Sequence, residues 1–177
     1  MKKNLNTILV IMGLIFWVFT FWLRVSEEEI PPFHEGGISF FFLFIMAPWL
    51  GMLLNAYLII RLTKEPFNKM TTFSLMLFIS GTSALKLVAA FYGADLYQEH
   101  FRAFEPETSL TPCFFILVAA ILELFIILGI LRFYCPDPLH LKKFIPITLL
   151  LITFGDVFWW SVSSFVWIIF HMGGIAG

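Results

Sequence analysis

The chain has 177 residues, of which 60% are hydrophobic and only 13% are charged, and its mean hydropathy is +0.91. Soluble domains carry about 25% charged residues, so this composition excludes an ordinary soluble domain. A formal net charge of −1 without a basic stripe also gives no sign of nucleic-acid binding. We therefore expect an integral membrane protein that forms a single transmembrane domain over residues 1–177, with the lipid bilayer as its surroundings.

The first predicted element is an apolar segment at 5–23, which follows Lys2 and Lys3. Secretion signals also begin with basic residues before an apolar stretch, but their apolar core is about 7–15 residues long. The segment here is longer, and no small-x-small cleavage site precedes Glu27. It is therefore predicted to be a membrane-spanning helix.

Four further apolar segments follow in chain order, at 37–60, 71–92, 111–131 and 144–170. At a rise of 1.5 Å per residue, each of the five segments is long enough as a helix to cross a hydrocarbon core about 30 Å thick. The connecting loops are too short to hold another domain. The sequence predicts an all-α integral membrane bundle of five transmembrane helices.

The charges of the predicted loops indicate how the bundle is oriented. One side receives most of the cations, namely Lys2, Lys3, Arg61, Lys64, Lys69, Arg132, Lys142 and Lys143. The other side receives most of the acidic residues, namely Glu27, Glu28, Glu29, Glu35, Asp95, Glu99, Glu105 and Glu107. Because cytoplasmic loops are enriched in Lys and Arg, the N-terminus is predicted to be cytoplasmic and the C-terminus outside. The short loops are typical of a multi-pass protein of a bacterial inner membrane.

Four polar side chains within the predicted spans are the candidate ion- or substrate-binding residues: Asp156, Glu123, Lys86 and Asn55. A charged side chain near the middle of a bilayer costs about 2.5–3.5 kcal/mol on insertion scales, so such residues usually face the interior of a bundle. Asp156 and Glu123 fall near the centres of the fifth and fourth spans and could share a proton or bind a cation. Lys86 could pair with either carboxyl or extend to the outer interface.

The same carboxyls have a structural interpretation. They could be protonated, or accept hydrogen bonds from neighbouring polar side chains and so hold the helices together. The available partners are Asn55, Ser80, Thr82, Ser83 and Ser161.

Small and aromatic residues predict which helices lie inside the bundle. The third span is rich in small residues, which allow close approach between helices, so we expect it at the centre. These residues are Ser80, Gly81, Ser83, Ala84, Ala89 and Ala90. The tryptophans are expected to face lipid or lie at the membrane interfaces. They are Trp17, Trp22, Trp49, Trp159, Trp160 and Trp167.

No cofactor and no metal site is predicted. His34, His100 and His171 all map to the outer side, but they lack the tight spacing of a metal site and the intrahelical positions that bis-histidine haem requires. Ser83-x-x-Lys86 has the form of a Ser/Lys nucleophile pair, yet so short a motif is explained equally by helix packing. Enzymatic activity is therefore not the favoured hypothesis.

One stretch resembles part of a known family. From Leu131-Arg132 to Phe154-Gly155-Asp156-Val157 the chain is locally similar to the emopamil-binding, sterol isomerase-like family, in which a helix ending in Leu-Arg is followed by a span carrying Tyr-Gly-Asp-Val. The resemblance covers residues 131–157 of 177. The family's acidic position on the preceding span would fall near Cys113 rather than Glu123, where the pattern departs. The resemblance implies an apolar, sterol-like ligand.

Three functional hypotheses follow from these patterns. The favoured one is a small transporter, channel or transport-complex subunit for a proton, cation or small solute, in which Asp156 and Glu123 bind the ion and Lys86 is the counter-ion. Because few helices are available to enclose a pathway, we expect a homo-oligomer or other membrane subunits as partners. The alternatives are a non-catalytic scaffold or assembly subunit of a membrane complex, and an intramembrane enzyme or binder of a lipid or sterol-like ligand.

Overall fold

The computed structural model describes residues 2–27, 47–101, 110–135, 141–159 and 161–162, and all the regular secondary structure in these ranges is helical. The five helices are α1 (Lys2–Glu27), α2 (Ala47–Leu62), α3 (Lys69–Phe101), α4 (Leu110–Tyr134) and α5 (Leu141–Leu150). A π-helical turn, Leu151–Gly155, continues α5, and helix resumes over residues 156–159. The prediction of an all-α fold with five helices is confirmed.

Three helical segments are long and apolar enough to cross a membrane: Asn4–Leu23, Lys69–Ala90 and Cys113–Tyr134. They match the first, third and fourth predicted spans. Two shorter apolar helices, Pro48–Leu62 and Phe144–Trp159, match parts of the second and fifth. The rest of those two predicted spans, residues 37–46 and 163–170, lies outside the described residues, as does residue 160.

Helix α3 lies at the centre of the described bundle and packs against α1, α2 and α4. The small side chains of Ser80, Ser83 and Ala84 are buried along it, which confirms the prediction that the third helix is internal. The π-helical turn after α5 packs against α2 and α4. Helix α3 is therefore surrounded by α1, α2 and α4, and the π-helical turn lies against two of these neighbours.

Large apolar side chains cover the outer surfaces of α1, α4 and α5. Val18, Phe125 and Phe154 are among the most exposed of them. Monomeric water-soluble proteins rarely expose large contiguous apolar patches, and these exposed apolar side chains fit a surface covered by lipid.

Helices α1 and α3 approach most closely at Gly13. A Cβ atom placed on Gly13 would lie 2.7 Å from the carbonyl oxygen of Leu77 in α3. Such a contact with backbone cannot be relieved by a side-chain rotation, so α1 depends on glycine here. Trp17, one helical turn later, donates a hydrogen bond to Ser80 Oγ at 3.0 Å across the same interface.

We therefore expect Gly13→Ala to push α1 away from α3 and to lower the free energy of unfolding by about 1–3 kcal/mol, the usual range for overpacking. Gly129→Ala in α4 is the matched control, because nothing lies within 4 Å of a Cβ added there. The control should gain about 0.5–1 kcal/mol from the higher helix propensity of alanine. Thermal melting of both variants tests this. A Gly13→Ala protein with the same melting temperature as Gly129→Ala would contradict the close contact between α1 and α3 at Gly13.

Trp49 is buried, only 3% exposed, so it does not face lipid, which was one of the two positions predicted for the tryptophans. Its ring meets Trp17 and Phe21 of α1 at steep angles, with ring centroids 6.4 and 6.3 Å apart. Edge-to-face packing of this kind adds to the stabilisation gained by burying the rings. Trp22, by contrast, is 61% exposed, as predicted.

Candidate functional site

The structure brings the four predicted site residues together in the interior of the bundle. Asn55 comes from α2, Lys86 from α3, Glu123 from α4 and Asp156 from the first residue after the π-helical turn. All four are buried, with at most 5% of any of them exposed. We call Lys86, Glu123 and Asp156 the charge triad.

Lys86 is the centre of the triad. Its Nζ lies 2.7 Å from Glu123 Oε2 and 2.7 Å from Asp156 Oδ2, and it also donates a hydrogen bond to the carbonyl oxygen of Ile152. Three oxygens thus surround an ammonium group that has three N–H donors. The sequence left two alternatives for Lys86. The structure confirms that it pairs with the carboxyls, and the alternative that it extends to the outer interface is wrong.

The π-helical turn provides the third of these oxygens. In an α-helix the Ile152 carbonyl would accept from the N–H of Asp156, four residues on. The Asp156 N–H instead bonds to the carbonyl of Thr153, so the Ile152 carbonyl is available to Lys86. Single π-helical turns are frequent at functional sites.

The second carboxylate oxygen of Asp156 binds helix α2. Asn55 Nδ2 donates a hydrogen bond to Asp156 Oδ1 at 2.8 Å. This approach depends on Gly155, because a Cβ placed there would lie 2.8 Å from Asn55 Nδ2. Gly155 thus allows α2 to come close enough for Asn55 to reach the triad.

The second carboxylate oxygen of Glu123 binds helix α3. Ser83 Oγ lies 2.8 Å from Glu123 Oε1, and Thr82 Oγ1 lies 3.0 Å from the same oxygen. Thr82 Oγ1 is also 2.8 Å from the carbonyl oxygen of Ile79, one turn earlier in α3. The hydroxyl of Thr82 therefore has two oxygen neighbours and a single proton to donate.

The charges of the triad do not balance when every group is ionised. One ammonium faces two carboxylates, which leaves one excess negative charge in a site from which water is excluded. An uncompensated charge in a low-dielectric interior is costly, so the site favours one additional positive charge, either a bound proton or a monovalent cation. The chemistry that this arrangement offers is the reversible binding of one such ion.

Apolar side chains surround the triad. Ala120, Leu124 and Ile127 of α4 are buried below and beside Glu123, and Met52 and Leu87 are buried on the side of α2 and α3. Between the triad and the α2–α3 loop, the buried core contains Ile59, Leu75 and Ile79, among others. The triad therefore lies in an apolar layer rather than in a wide polar channel.

Two clefts lie near the loop end of the bundle. One, of about 330 Å³, is lined mainly by apolar side chains of α4 and α5, including Phe125, Leu128 and Phe144. The other, of about 700 Å³, lies at the α2–α3 loop and is lined by Arg61, Lys64 and Lys69 among others. No residue of the triad lines either cleft, so the triad is closed off from both.

A second buried polar cluster ties the helices together at the same loop end. Tyr134 donates a hydrogen bond to Asn6 Oδ1 at 2.7 Å, and Asn6 Nδ2 donates to Thr71 Oγ1 at 3.0 Å. The cluster joins α4, α1 and α3 and carries no ionised group. Sequence reasoning missed it, because isolated Asn, Thr and Tyr residues at the ends of spans give no sign of being partners.

Metal binding gains no support in the part of the chain that the structure describes, where no three His, Cys, Asp or Glu side chains are grouped to hold an ion. His34 and His171, named above as outer-side candidates, lie outside the described residues, and so does the side chain of His100.

No family model, curated protein or solved structure matches this chain.

Proposed function

We propose that the chain crosses the membrane five times, with its N-terminus in the cytoplasm, and that its loop end near Lys64 faces the cytoplasm. Three helices of spanning length support this, together with the exposed apolar surfaces of α1, α4 and α5. Arg61, Lys64 and Lys69 are all exposed at the α2–α3 loop, where the positive-inside rule expects cations. A bacterial inner membrane is the compartment that this compact design fits.

Within that membrane, the protein acts as a small transporter or channel, or as a subunit of a transport complex, for a proton or a small monovalent cation. The charge triad is its ion-binding site. The observation that carries this proposal is the ratio of two carboxylates to one lysine, each carboxylate 2.7 Å from Lys86 Nζ, inside an apolar layer. A purely structural ion pair needs one acid for one base. This site has one acid more than that, so one additional positive charge can bind there and be exchanged.

The transport pathway needs more enclosure than five helices of one chain offer, so the working form is a homo-oligomer or includes other membrane subunits. The described conformation closes the triad off from both clefts at the loop end, so transport requires the site to open toward that end and, in turn, toward the opposite end. When no exchangeable ion is bound, the positive charge of Lys86 limits the net charge of the site to −1 instead of −2.

The test is ion flux into proteoliposomes under imposed gradients of protons, Na⁺ and K⁺. The parent protein is expected to carry flux of one of these ions, and Glu123→Gln, which removes the exchangeable charge, is expected to abolish it. Glu65→Gln in the α2–α3 loop is the matched control, because it makes the same chemical change outside the triad, and it should retain the parent rate.

Each variant must first be shown to be folded by thermal melting. Flux that survives Glu123→Gln at the parent rate would remove the triad from the pathway. An absence of flux from every folded form, including the parent with all three cations, would exclude a stand-alone transporter.

A second function is favoured by a separate observation. Three of the four carboxylate oxygens of the triad accept hydrogen bonds from neighbouring helices, and the fourth, Glu123 Oε2, lies 2.7 Å from Lys86 Nζ, an arrangement that holds helices together. On this alternative the protein is a scaffold or assembly subunit of a membrane complex. Substitutions in the triad would then reduce the amount of folded or assembled protein in proportion to any loss of activity, and a folded Glu123→Gln protein would be fully active in its complex.

The third hypothesis, an enzyme or binder for a lipid or sterol-like ligand, requires an apolar cavity that reaches Asp156 from the bilayer. The apolar cleft between α4 and α5 is large enough for part of such a ligand, but Asp156 does not line it. The described geometry therefore favours this hypothesis least.

A further inference from the structure

We propose that the ion held by the triad is a proton, that it resides on Glu123 Oε1, and that Glu123 donates it to Thr82 Oγ1. The inference deepens the proposed function, on which it rests, by identifying the ion and the atom that binds it. It follows from counting donors and acceptors around each oxygen.

Lys86 is the first group to be assigned. Its Nζ faces three oxygens, from Glu123, Asp156 and the Ile152 backbone. Two of these oxygens, Asp156 Oδ2 and the Ile152 carbonyl, accept hydrogen bonds from Nζ, whereas Glu123 Oε2 makes no hydrogen bond although it lies 2.7 Å from Nζ. A neutral amine would use its two N–H groups on the first two oxygens and turn its lone pair toward Glu123 Oε2, whereas the third N–H of an ammonium can face that oxygen, so the charged form fits the site. The extra proton of the site is therefore not obtained by neutralising Lys86 and must lie on a carboxyl.

Asp156 is the second group. Its Oδ1 accepts from Asn55 Nδ2 at 2.8 Å and its Oδ2 accepts from Lys86 Nζ at 2.7 Å. Both partners are nitrogen donors with no lone pair to accept a proton. A proton on Asp156 would point at one of them, so Asp156 is the ionised partner of Lys86.

Glu123 is the group that remains, and Thr82 is the acceptor that a protonated carboxyl needs. The Thr82 hydroxyl is closer to the Ile79 carbonyl, at 2.8 Å, than to Glu123 Oε1, at 3.0 Å. With its own proton directed at Ile79, Thr82 Oγ1 has lone pairs free to accept from Glu123. Ser83 continues to donate to Oε1 at 2.8 Å.

The same geometry accommodates loss of the proton. Once the site has opened to water, the O–H bond of Glu123 breaks, the proton passes to a water molecule, and the Thr82 hydroxyl turns from the Ile79 carbonyl to the new carboxylate. Oε1 then accepts from both Thr82 and Ser83, so this exchange of hydrogen bonds needs only a rotation of the Thr82 hydroxyl. The charged groups that face Glu123 in either state are Lys86 from α3 and Asp156 beyond the π-helical turn. Asn55 of α2 reaches the site only through Asp156.

The test is infrared spectroscopy of the parent protein in phosphatidylglycerol and phosphatidylcholine vesicles at pH 7, where carboxyls in contact with water are ionised. We expect one C=O stretch of a protonated carboxyl. Carbon-13 labelling of glutamate side chains should shift this band, while labelling of aspartate side chains should leave it in place. Glu123→Gln should remove it.

Thr82 is a positioning residue on this account, and its role has a separate readout. Thr82→Val, which keeps the shape of the side chain but removes the acceptor, should move the band, and Thr82→Ser should restore its position. A band that follows the aspartate label, or no band in the folded parent, would overturn the assignment to Glu123. A glutamate band in a protein that carries no flux would leave the assignment intact and reject the proposed transport instead, so the two failures are distinguishable.

Discussion

Replacing Lys86 with methionine is expected to lower the free energy of unfolding by about 3–5 kcal/mol, the usual cost of removing one partner from a buried ion pair. Methionine keeps much of the length and the apolar stem of lysine but no donor. Glu123 and Asp156 would then face each other without the ammonium that lies 2.7 Å from both. Lys69→Met is the matched control, since Lys69 is exposed at the start of α3, and it should change stability by no more than about 0.5 kcal/mol.

Thermal and denaturant unfolding of the purified proteins measures the difference. Adding Glu123→Gln and Asp156→Asn to the Lys86→Met protein should recover much of the loss, because neutral amides replace the two acidic groups that have lost their cation. If the Lys86→Met and Lys69→Met proteins have the same free energy of unfolding, Lys86 is not buried between the two carboxyls.

The second expected result is an asymmetry between the two carboxyls. Glu123→Gln should cost less than about 1 kcal/mol, within the net range of one hydrogen bond. A glutamine amide can donate to Thr82 Oγ1 and direct its oxygen at Lys86, as the protonated glutamic acid does. Asp156→Asn should cost about 3–5 kcal/mol, because it removes the counter-charge that lies 2.7 Å from Lys86 Nζ and leaves the ammonium buried without an ionised partner.

Both substitutions remove one acidic group and keep the size of the side chain, so each is the control for the other. The measurement is the shift in unfolding midpoint under identical detergent conditions. Equal losses would mean that the two carboxyls are equivalent. A larger loss for Glu123→Gln would assign the proton to Asp156 instead.

The helices and the members of the site could be predicted from the sequence, because long apolar segments, and ionisable residues within them, are easily recognised. Runs of apolar residues marked all five helices, and ionisable groups inside such runs marked Lys86, Glu123 and Asp156. Their meeting follows from side-chain direction, since side chains lean toward the N-terminus of their helix. Lys86 lies past the middle of α3 and leans back toward the N-terminal end of α3, and Glu123 on the antiparallel α4 leans toward the N-terminal end of α4, so the two side chains approach each other.

The sequence could not distinguish pairing of Lys86 from extension to the membrane surface, because that choice depends on which helices are neighbours. The π-helical turn at Leu151–Gly155 also escaped prediction, since no residue pattern marks the single backbone carbonyl, Ile152, that Lys86 uses. The burial of Trp49 was not predicted for a related reason, since it depends on the aromatic rings of α1, which are 28 and 32 residues away in the sequence.

The measurement that tests the account most directly is the depth of the triad in the membrane. Spin labels can be attached at Leu122 and Phe158, which are exposed by 60% and 58% and lie beside Glu123 and Asp156, in a protein whose Cys113 and Cys135 are replaced with serine. A third label at the exposed loop residue Lys64 provides the aqueous reference. We predict that in vesicles the labels at Leu122 and Phe158 collide readily with oxygen and rarely with a water-soluble nickel chelate, the pattern of sites near the bilayer centre. Nickel accessibility at both positions equal to that at Lys64 would contradict an intramembrane charge triad.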